Sequence, residues 1–589
     1  MLQFRFLNLL IFFISFIAFS FHLSAMGNCI SCPRSSSSSS KLPPELLKKR
    51  ELSSLPIDAA FKLPSPLPVW PPGTGFGTRT IDLGDLQVTE ITTFNQIWAA
   101  YEGGPNSQGV SIFEPSPIPS GFFSLGCHAQ PNNVPLFGSI LLAKDVTNDA
   151  SNAVLKSPVD YTLIWSSQSL NIKQTSPAYI WLPTPPAGYN PVGYVVTTSP
   201  GKPSLDATRC IRSDYTDQCE ADDWMWGSDS DGINILSSMP TNRGIQDMGI
   251  GVGTFVAKVS SGSTSVTPLY CLKNVKSNLS SMPNYEQVEA LIRTYSPWVY
   301  FHPSEEYLPS TVSWFFTNGA LLYKKGDESN PVSINLDGSN LPQGSSNDGL
   351  YWIDLPVDGN AKERVKKGNL GTAGTYFHIK PMLGGTYTDI AIWVFYPFNG
   401  PARAKIGFIK SLSLGKIGEH VGDWEHVTLR ISNFDGVLRS MYFAEHSGGQ
   451  WVSASSLEFQ NGNKPVAYSS LNGHASYPKA GTVLQGNEFI GIRNDSAVSS
   501  MVLDTGVRYQ VISADYLGVV EPPWVNYMRE WGPKISYDID NEIENIAKLL
   551  PGNLKTAFRN FIKSLPAEVL GEEGPTGPKG KRSWYGDEV

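Results

Sequence analysis

The stretch Phe113-Glu-Pro-Ser-Pro-Ile-Pro-Ser-Gly-Phe-Phe-Ser-Leu-Gly126 decides the fold, because its pattern returns further along the chain. The second copy is Trp181-Leu-Pro-Thr-Pro-Pro-Ala-Gly-Tyr-Asn-Pro-Val-Gly193, and a weaker third copy runs from Met239 to Gly249. Each copy has a glycine, an apolar residue four positions later and a second glycine at the fifth position. Since proline cannot donate to a sheet ladder and glycine permits bends, each copy marks a strand edge followed by a sharp turn.

The spacing of the copies predicts a threefold architecture. They recur at intervals of roughly 60 residues, which is typical of one supersecondary unit packed against copies of itself. Each unit has room for about four short strands. Three four-stranded sheets around a pseudo-threefold axis form a β-prism.

The composition agrees with a mainly β, multidomain chain. Among 589 residues there are 54 Gly and 44 Pro, and only 17% are charged. A helical bundle would carry more charge and far less Gly and Pro. The net charge of −8 argues against a nucleic-acid partner, because such proteins usually present a basic face.

The N-terminus supports two interpretations. Residues from Met1 to Ala25 resemble a secretory signal, with an apolar run that is short for a membrane-spanning helix. The string Met26-Gly-Asn-Cys-Ile-Ser31 instead fits a myristoylation pattern at Gly27, with Cys29 and Cys32 as palmitoylation sites, if translation starts at Met26. The internal start predicts a lipoprotein on the cytoplasmic face of a membrane, whereas the Met1 leader predicts the secretory pathway.

Cysteine usage does not decide between these routes. The rest of the chain has four cysteines, and Cys210 and Cys219 could pair if the protein is secreted.

The second half contains a candidate metal site. Residues Trp424 to Ile431 alternate as a strand should, so Asp423 and Glu425 face one side, and His420 joins them from a turn. Two carboxylates and an imidazole suit a divalent cation such as Mg²⁺ or Ca²⁺, or a general acid/base pair. A purely structural role, with an Asp-capped turn and a paired Glu, is the third interpretation. His446 and His474 lie beside glycines downstream and are candidates for orienting the ligands.

Two strings carry a resemblance to a known family. Phe61-Lys-Leu-Pro-Ser-Pro-Leu-Pro-Val-Trp-Pro-Pro-Gly-Thr-Gly-Phe-Gly77 and Gly188-Tyr-Asn-Pro-Val-Gly-Tyr-Val-Val-Thr197 resemble the plant family named after vacuolar protein sorting-associated protein 62, a domain of unknown function. The resemblance covers the chain from Phe61 to its end. The repeated module also resembles the β-prism domains of multivesicular-body-associated proteins, which bind membranes.

A second resemblance concerns the candidate site. His420-Val-Gly-Asp-Trp-Glu-His-Val427 is similar to the cation-binding heptapeptide of the necrosis- and ethylene-inducing-like proteins, β-sandwich toxins that act on plant sphingolipids. The resemblance implies a β-sandwich in which His420, Asp423 and Glu425 approach a cation. Asn399 stands where that family has a further aspartate, and the motif's second histidine is missing. Cytolytic activity therefore does not follow.

These observations predict three segments and two alternative functions. We expect a leader and linker over residues 1–56, a β-prism-like domain over 57–275, and a β-sandwich with C-terminal helices and tail over 276–589. The favoured function is a membrane-associated protein that binds lipid headgroups or glycans with help from a cation. The alternative is a metal-dependent hydrolase of a glycan, phosphoester or lipid, with His446 or His474 carrying protons. Binding is favoured because no complete catalytic set is visible.

Overall fold

The structure is a computed structural model that describes residues 55–588, with gaps at 148, 260–268, 277–278, 345, 447, 535–536, 566–569 and 571–573. Residues 55–589 form one compact unit that contains all of the buried clusters described below. The predicted leader and the acylation residues Gly27, Cys29 and Cys32 lie outside the described residues. The division at residue 275 remains a prediction.

The first half of this unit consists of short antiparallel strands. In chain order they are β1 (Thr80–Asp82), β2 (Leu86–Ile91), β3 (Phe94–Ala100), β4 (Val110–Pro115), β5 (Phe123–Ser124), β6 (His128–Pro131), β7 (Ile140–Asp145), β8 (Leu155–Lys156), β9 (Asp160–Ser166), β10 (Tyr179–Thr184), β11 (Tyr189–Asn190), β12 (Val195–Thr197), β13 (Cys210–Arg212), β14 (Thr216–Ser228), β15 (Ile233–Pro240), β16 (Gly249–Ile250), β17 (Phe255–Val259) and β18 (Tyr270–Lys273). The sheet orders are β1-β2-β7-β5, β3-β4-β6, β12-β10-β9, β11-β13-β8 and β16-β18-β14-β15-β17.

These pairings repeat three times. Strands β2 to β7 and β8 to β13 have the same order of pairing, and β14 to β18 repeat it with the long β14 replacing two strands. Each repeat therefore supplies one three-stranded sheet to each of two tiers. At the centre of one tier, Trp98, Trp165 and Trp226 contribute one indole per repeat, with ring centroids 5.5 to 6.1 Å apart. The predicted three-repeat β-prism-like fold is confirmed, with about six strands per repeat rather than four.

The third copy of the glycine pattern predicts a turn at Gly249, whereas the structure has the equivalent turn at Gly253. Gly126 and Gly193 pack against each other, since a Cβ on Gly126 would lie 2.8 Å from the Gly193 Cα. The residue in the equivalent position of the third repeat is Gly253, whose Cβ would lie 2.1 Å from the Ser139 carbonyl oxygen. Gly249 instead begins β16. The prediction is wrong here because glycine occurs at every second position from Gly249 to Gly253.

The second half is a β-sandwich with peripheral helices. Its helices are α1 (Tyr285–Tyr295), α2 (Val312–Thr317), α3 (Gly359–Lys366), α4 (Ile539–Lys548) and α5 (Gly552–Lys563). Its strands are β19 (Trp298–Phe301), β20 (Leu321–Lys324), β21 (Val332–Ser333), β22 (Tyr351–Asp354), β23 (Thr375–Met382), β24 (Tyr387–Asn399), β25 (Arg403–Ile406), β26 (Ile409–Ser413), β27 (His420–Ser432), β28 (Leu438–Glu445), β29 (Gly448–Ser453), β30 (Phe459–Gln460), β31 (Lys464–Ser469), β32 (Ser476–Tyr477), β33 (Gly481–Gly486), β34 (Ile490–Ser496), β35 (Val502–Asp504) and β36 (Tyr509–Ser513). The sheet orders are β29-β28-β27-β24-β23-β36, β30-β31-β19-β35 with β32 beside β31, β26-β25-β34-β33, and β21-β20-β22.

The six-stranded sheet is buried on both faces. One face packs against α1 and the sheet of β19 and β31 through an aliphatic core. The other face packs against a cluster rich in tryptophan, which includes Trp393, Trp424 and Trp531. The helix boundaries follow the sequence, since Asn284 forms a capping box with Gln287 at the start of α1. Pro551 separates the last two helices and stands at the N-cap of α5.

The disulfide pairing differs from the expected one. Cys219 is bonded to Cys271, whereas Cys210 and Cys127 are free and buried. The reason is topological, because β14 and β18 are neighbouring strands and Cys210 lies in β13, in a different sheet. Among the helices described, none is sufficiently long and apolar to cross a membrane.

Candidate functional site

The candidate site is a cleft beside the first half of β27. This strand pairs with β24 from His420 to Ser432, but its pairing with β28 extends only from Val427 to Ile431. On the N-terminal side of Val427, β27 and β28 are no longer paired, and a cleft of about 940 Å³ opens there. The sequence-predicted residues that line it are Asn399, His420, Asp423, Glu425 and His446. Its other walls come from β34, the end of α5 and the C-terminal segment.

His474 lies behind this cleft, fully buried between two carboxylates. Its Nδ1 donates to Asp423 Oδ2 over 2.8 Å, and its Nε2 lies 3.8 Å from Glu305 Oε2. The Tyr396 ring stacks on the imidazole at a centroid distance of 3.8 Å. Burial opposes the charged imidazole, but the hydrogen bond that His474 donates to Asp423 and the nearby Glu305 carboxylate outweigh it and raise the pKa of His474 to about 10. His474 is therefore a cation at neutral pH.

The same contacts keep the two acids ionised. Burial favours the neutral carboxyl of Asp423, yet the hydrogen bond from His474 and the neighbouring His420 lower its pKa. Burial acts likewise on Glu305, but His474 and the backbone N–H groups of Tyr307 and Asn472 lower its pKa. Since Asp423 also lines the cleft, it presents a negative charge there at neutral pH.

An irregular turn places His474 in this position. Both Asn472 and His474 have positive φ values, of 70° and 56°. The Asn472 N–H donates to Glu305 Oε2 over 2.6 Å, and its side-chain amide donates to the Pro401 carbonyl over 2.9 Å. Asparagine tolerates the left-handed region better than most residues, and a non-glycine residue there usually marks a constrained site.

Gly422 fixes the position of Asp423 in β27. Its φ is +69°, and a Cβ on it would lie 2.3 Å from the Trp531 carbonyl oxygen. Only glycine satisfies both the conformation and the close approach. The glycine that precedes the motif's aspartate is thus required for packing.

His446 is the second predicted histidine partner, and the structure places it at the cleft wall. Its Nε2 lies 2.9 Å from Asn494 Oδ1. It packs over Gly473, where a Cβ would lie 2.8 Å from the imidazole Cε1. His446 and His474 therefore contact the same turn from different sides, although they have different partners.

The described residues do not contain a set of three His, Cys, Asp or Glu side chains placed to hold a metal ion. Asn399 uses its side-chain NH₂ to donate to the Gly418 carbonyl over 2.7 Å. Asp423 uses one carboxylate oxygen for His474. The divalent cation stays a prediction.

Sequence reasoning missed Glu305 and the charged end of the chain. Glu588 is buried and accepts from Thr428 over 2.6 Å, and its Oε2 lies 3.0 Å from His426 Nε2. The fully buried Lys380 Nζ lies 3.6 Å from Glu588 Oε1. Burial favours the neutral acid, but His426 and Lys380 lower the pKa of Glu588 well below its usual range.

Asp587 joins the two halves of the unit. Its carboxylate lies 2.5 Å from Arg430 Nη2 in β27 and 3.1 Å from Arg243 Nε, which follows β15. Arg430 also contacts the buried Asp389 over 2.8 Å. We call residues 575–588 the C-terminal strap. One signal could have revealed it, since Lys380 and Asp389 interrupt strongly apolar strands and buried charges require partners.

Comparisons with known proteins give a family. The sequence pattern of vacuolar protein sorting-associated protein 62, Vps62, matches residues 57–588. A curated Saccharomyces cerevisiae protein named "Putative vacuolar protein sorting-associated protein TDA6" is 23% identical over 251 residues, covering 36% of this chain and 51% of the yeast protein. The chain thus spans about half the length of this curated relative.

Solved structures with partial similarity include GNIP1Aa from Chromobacterium piscinae, at 15% identity and a TM-score of 0.27 over 36% of this chain and 40% of that one. NLPPya in complex with glucosamine matches at 11% identity and a TM-score of 0.21, over 44% of this chain and 89% of that one. We draw no conclusion from scores this low. The family pattern, in contrast, extends from the first repeat of the prism to Glu588 in the strap. The chain belongs to the Vps62 family of vacuolar protein sorting-associated proteins.

Proposed function

We propose that this Vps62-family protein is a binding protein in vacuolar sorting and that its cleft holds a hydroxyl-rich group, either a glycan or a lipid headgroup. One observation carries the proposal: Asn399, His420, Asp423 and Glu425 line a single cleft, and the buried His474 keeps Asp423 ionised. Carboxylates accept hydrogen bonds from hydroxyl groups, and side-chain amides both donate and accept them, in fixed directions. This arrangement supports recognition of a polyol.

The cleft also carries basic groups. Arg493 and Lys581 lie on its walls, so an anionic substituent on the ligand can be held opposite the carboxylates. A cleft with both signs of charge favours a polar ligand of mixed character over a purely apolar one.

Binding to an array of immobilised oligosaccharides and phosphoinositides tests the proposal. We expect wild-type protein to bind a subset of hydroxyl-rich spots. The Asp423→Asn/Glu425→Gln variant should bind them at least about tenfold more weakly, because two acceptors on the cleft wall lose their charge.

The matched control is Glu328→Gln/Asp337→Asn, which removes the same charge from two exposed acids elsewhere. It should bind as the wild type does. Equal binding by the cleft variant and the wild type would refute the proposal. A parallel series with EDTA tests the predicted divalent cation, whose participation requires that wild-type binding be lost on chelation.

A further inference from the structure

We propose that the tips of two neighbouring β-hairpins dock this protein onto the surface of an anionic lipid bilayer. Gly407 and Phe408 connect β25 to β26, and Phe489 lies in the connection between β33 and β34. The Gly407 N–H donates to the Phe489 carbonyl over 2.6 Å, so both tips lie at the same end of their sheet. This surface is separate from the set of acids in the cleft, and the inference does not rest on the proposed function.

The tips expose large apolar side chains. Phe408 is 75% exposed and Phe489 is 52% exposed. Leu549, at the end of α4, is 73% exposed. The turn between α4 and α5 lies beside the tips, since a Cβ on Gly407 would lie 3.0 Å from Leu554 in the first turn of α5.

The flanking charges are mostly positive. Lys405 and Lys410 lie on the strands next to the tips, and Lys548 and Lys555 lie at the ends of α4 and α5 that face each other. Glu488 opposes them; Asp540 and Glu542 lie in the first turn of α4, at its other end, and Glu544 is already paired with Arg559. Exposed aromatic and aliphatic side chains flanked by lysines match the interfacial zone of a membrane with anionic lipids.

The shape of the surface favours a bilayer over a protein partner. A stable protein interface buries about 800 Å² on each partner around a central packed anchor. Here the exposed apolar groups stand on separate connections, with lysines on the adjoining elements. Side chains at projecting tips can enter the headgroup region without a complementary pocket. The β33–β34 hairpin also supplies Gln485 and Arg493 to the cleft, so docking would bring the cleft wall close to the membrane.

Sedimentation with phosphatidylcholine vesicles containing phosphatidylserine tests this assignment. The protein tested starts at Leu55, because residues 55–589 form one compact unit with all of the described cores. We expect Phe408→Ser/Phe489→Ser to bind these vesicles at least about tenfold more weakly, since the rings supply the apolar contact. Wild-type binding should fall with added salt and on replacing phosphatidylserine by phosphatidylcholine.

The control variant is Val357→Ser/Val507→Ser, which changes two residues of similar exposure, 74% and 71%, in other connections. It should bind the vesicles as the wild type does. The tip variant should still bind the hydroxyl-rich spots of the array as the wild type does, so failure of the cleft proposal would not be mistaken for failure of this one. Vesicle binding by the tip variant that is as strong as that of the wild type would overturn the inference. So would a lipid-free dimer in analytical ultracentrifugation that the tip variant loses, because the tips would then serve self-association.

Discussion

At the scale of the residue, the central feature is the buried charge group of Glu305, His474 and Asp423. Two carboxylates with one imidazolium between them leave a net negative charge beside the cleft. A buried ion pair contributes little net stability, whereas removing one partner is costly because the other charges stay buried. The group is best explained by its effect on Asp423, whose charge and orientation it fixes.

The pH dependence of stability should reveal His474. Because its folded-state pKa is about 10, above the unfolded value of about 6.5, its contribution is complete below about pH 6.5 and is lost as pH rises through 10. Glu305 and Asp423 act oppositely, since their lowered pKa values give stability above about pH 4 that is lost on acidification. We expect the free energy of unfolding from urea titrations to fall by a few kcal/mol between about pH 7 and pH 10.

His474→Asn is the matched variant, because asparagine tolerates the positive φ at this position. It should flatten this alkaline slope while lowering stability at pH 7 by about 3 kcal/mol. An alkaline slope that is unchanged in the variant would contradict the assignment of His474 as a buried cation.

Gly422 offers a second test at this scale. Gly422→Ala should destabilise by more than about 2 kcal/mol, because the new methyl group meets the Trp531 carbonyl. Gly518 has a nearly equal φ of +67° with nothing within 4 Å of its Cβ position. Gly518→Ala should therefore lower the free energy of unfolding by only about 1 kcal/mol, because the positive φ is its only cost. Urea midpoints for both variants measure the difference, and equal losses would show that the close approach is not decisive.

At the scale of the element, the threefold repeat explains why the prism can be read from its sequence. Proline and glycine act locally, so Gly126 and Gly193 mark equivalent turns without knowledge of the rest of the chain. The number of strands could not be predicted, because two-residue strands such as β5 carry too little alternation. The turn of the third repeat was predicted at Gly249 and lies at Gly253, because closely spaced glycines allow several alignments of the pattern.

The tryptophans at the prism centre give the prediction for this scale. Trp226 is fully buried and its indole N–H donates to the Glu102 carbonyl over 2.7 Å. Trp226→Ala should lower the free energy of unfolding by about 3 to 5 kcal/mol. Two residues earlier in β14, Trp224 is 46% exposed. Trp224→Ala should cost less than about 1 kcal/mol. Thermal unfolding followed by near-ultraviolet circular dichroism compares them, and similar losses would exclude a packed threefold centre.

At the scale of the whole molecule, the strap binds both halves. Asp587 contacts Arg243 and Arg430, and the backbone N–H of Trp531 donates to the Pro575 carbonyl over 2.7 Å. The motif around Asp423 was visible in the sequence because its residues are neighbours. The roles of Glu305 and Glu588 were not visible in the sequence, because the histidines they contact lie more than 150 residues away. Only the buried lysine and aspartate in apolar strands indicated that distant charges were required.

Asp587→Ala tests how far the strap couples the halves. The substitution leaves Arg430 with one carboxylate partner and removes the contact between Arg243 and the strap. We therefore expect the free energy of unfolding to fall by about 3 kcal/mol. Unfolding should also become less cooperative, with tryptophan fluorescence and far-ultraviolet circular dichroism giving separate midpoints. Asp540→Asn, on the exposed side of α4, should leave one common transition. Coincident midpoints at wild-type stability in Asp587→Ala would show that the strap is dispensable.

The position of the strap in the chain determines the order of events during synthesis. Asp587 and Glu588 are translated after every residue with which they pair. Domains generally fold from the N-terminus as they leave the ribosome. Until these last acids emerge, Lys380 lacks the carboxylate it will meet and Arg430 has only Asp389. The two halves can acquire their strands, and contacts such as that between Glu90 and Arg439, before the strap is made. The ion pairs of Asp587 and Glu588 are the contacts that form last.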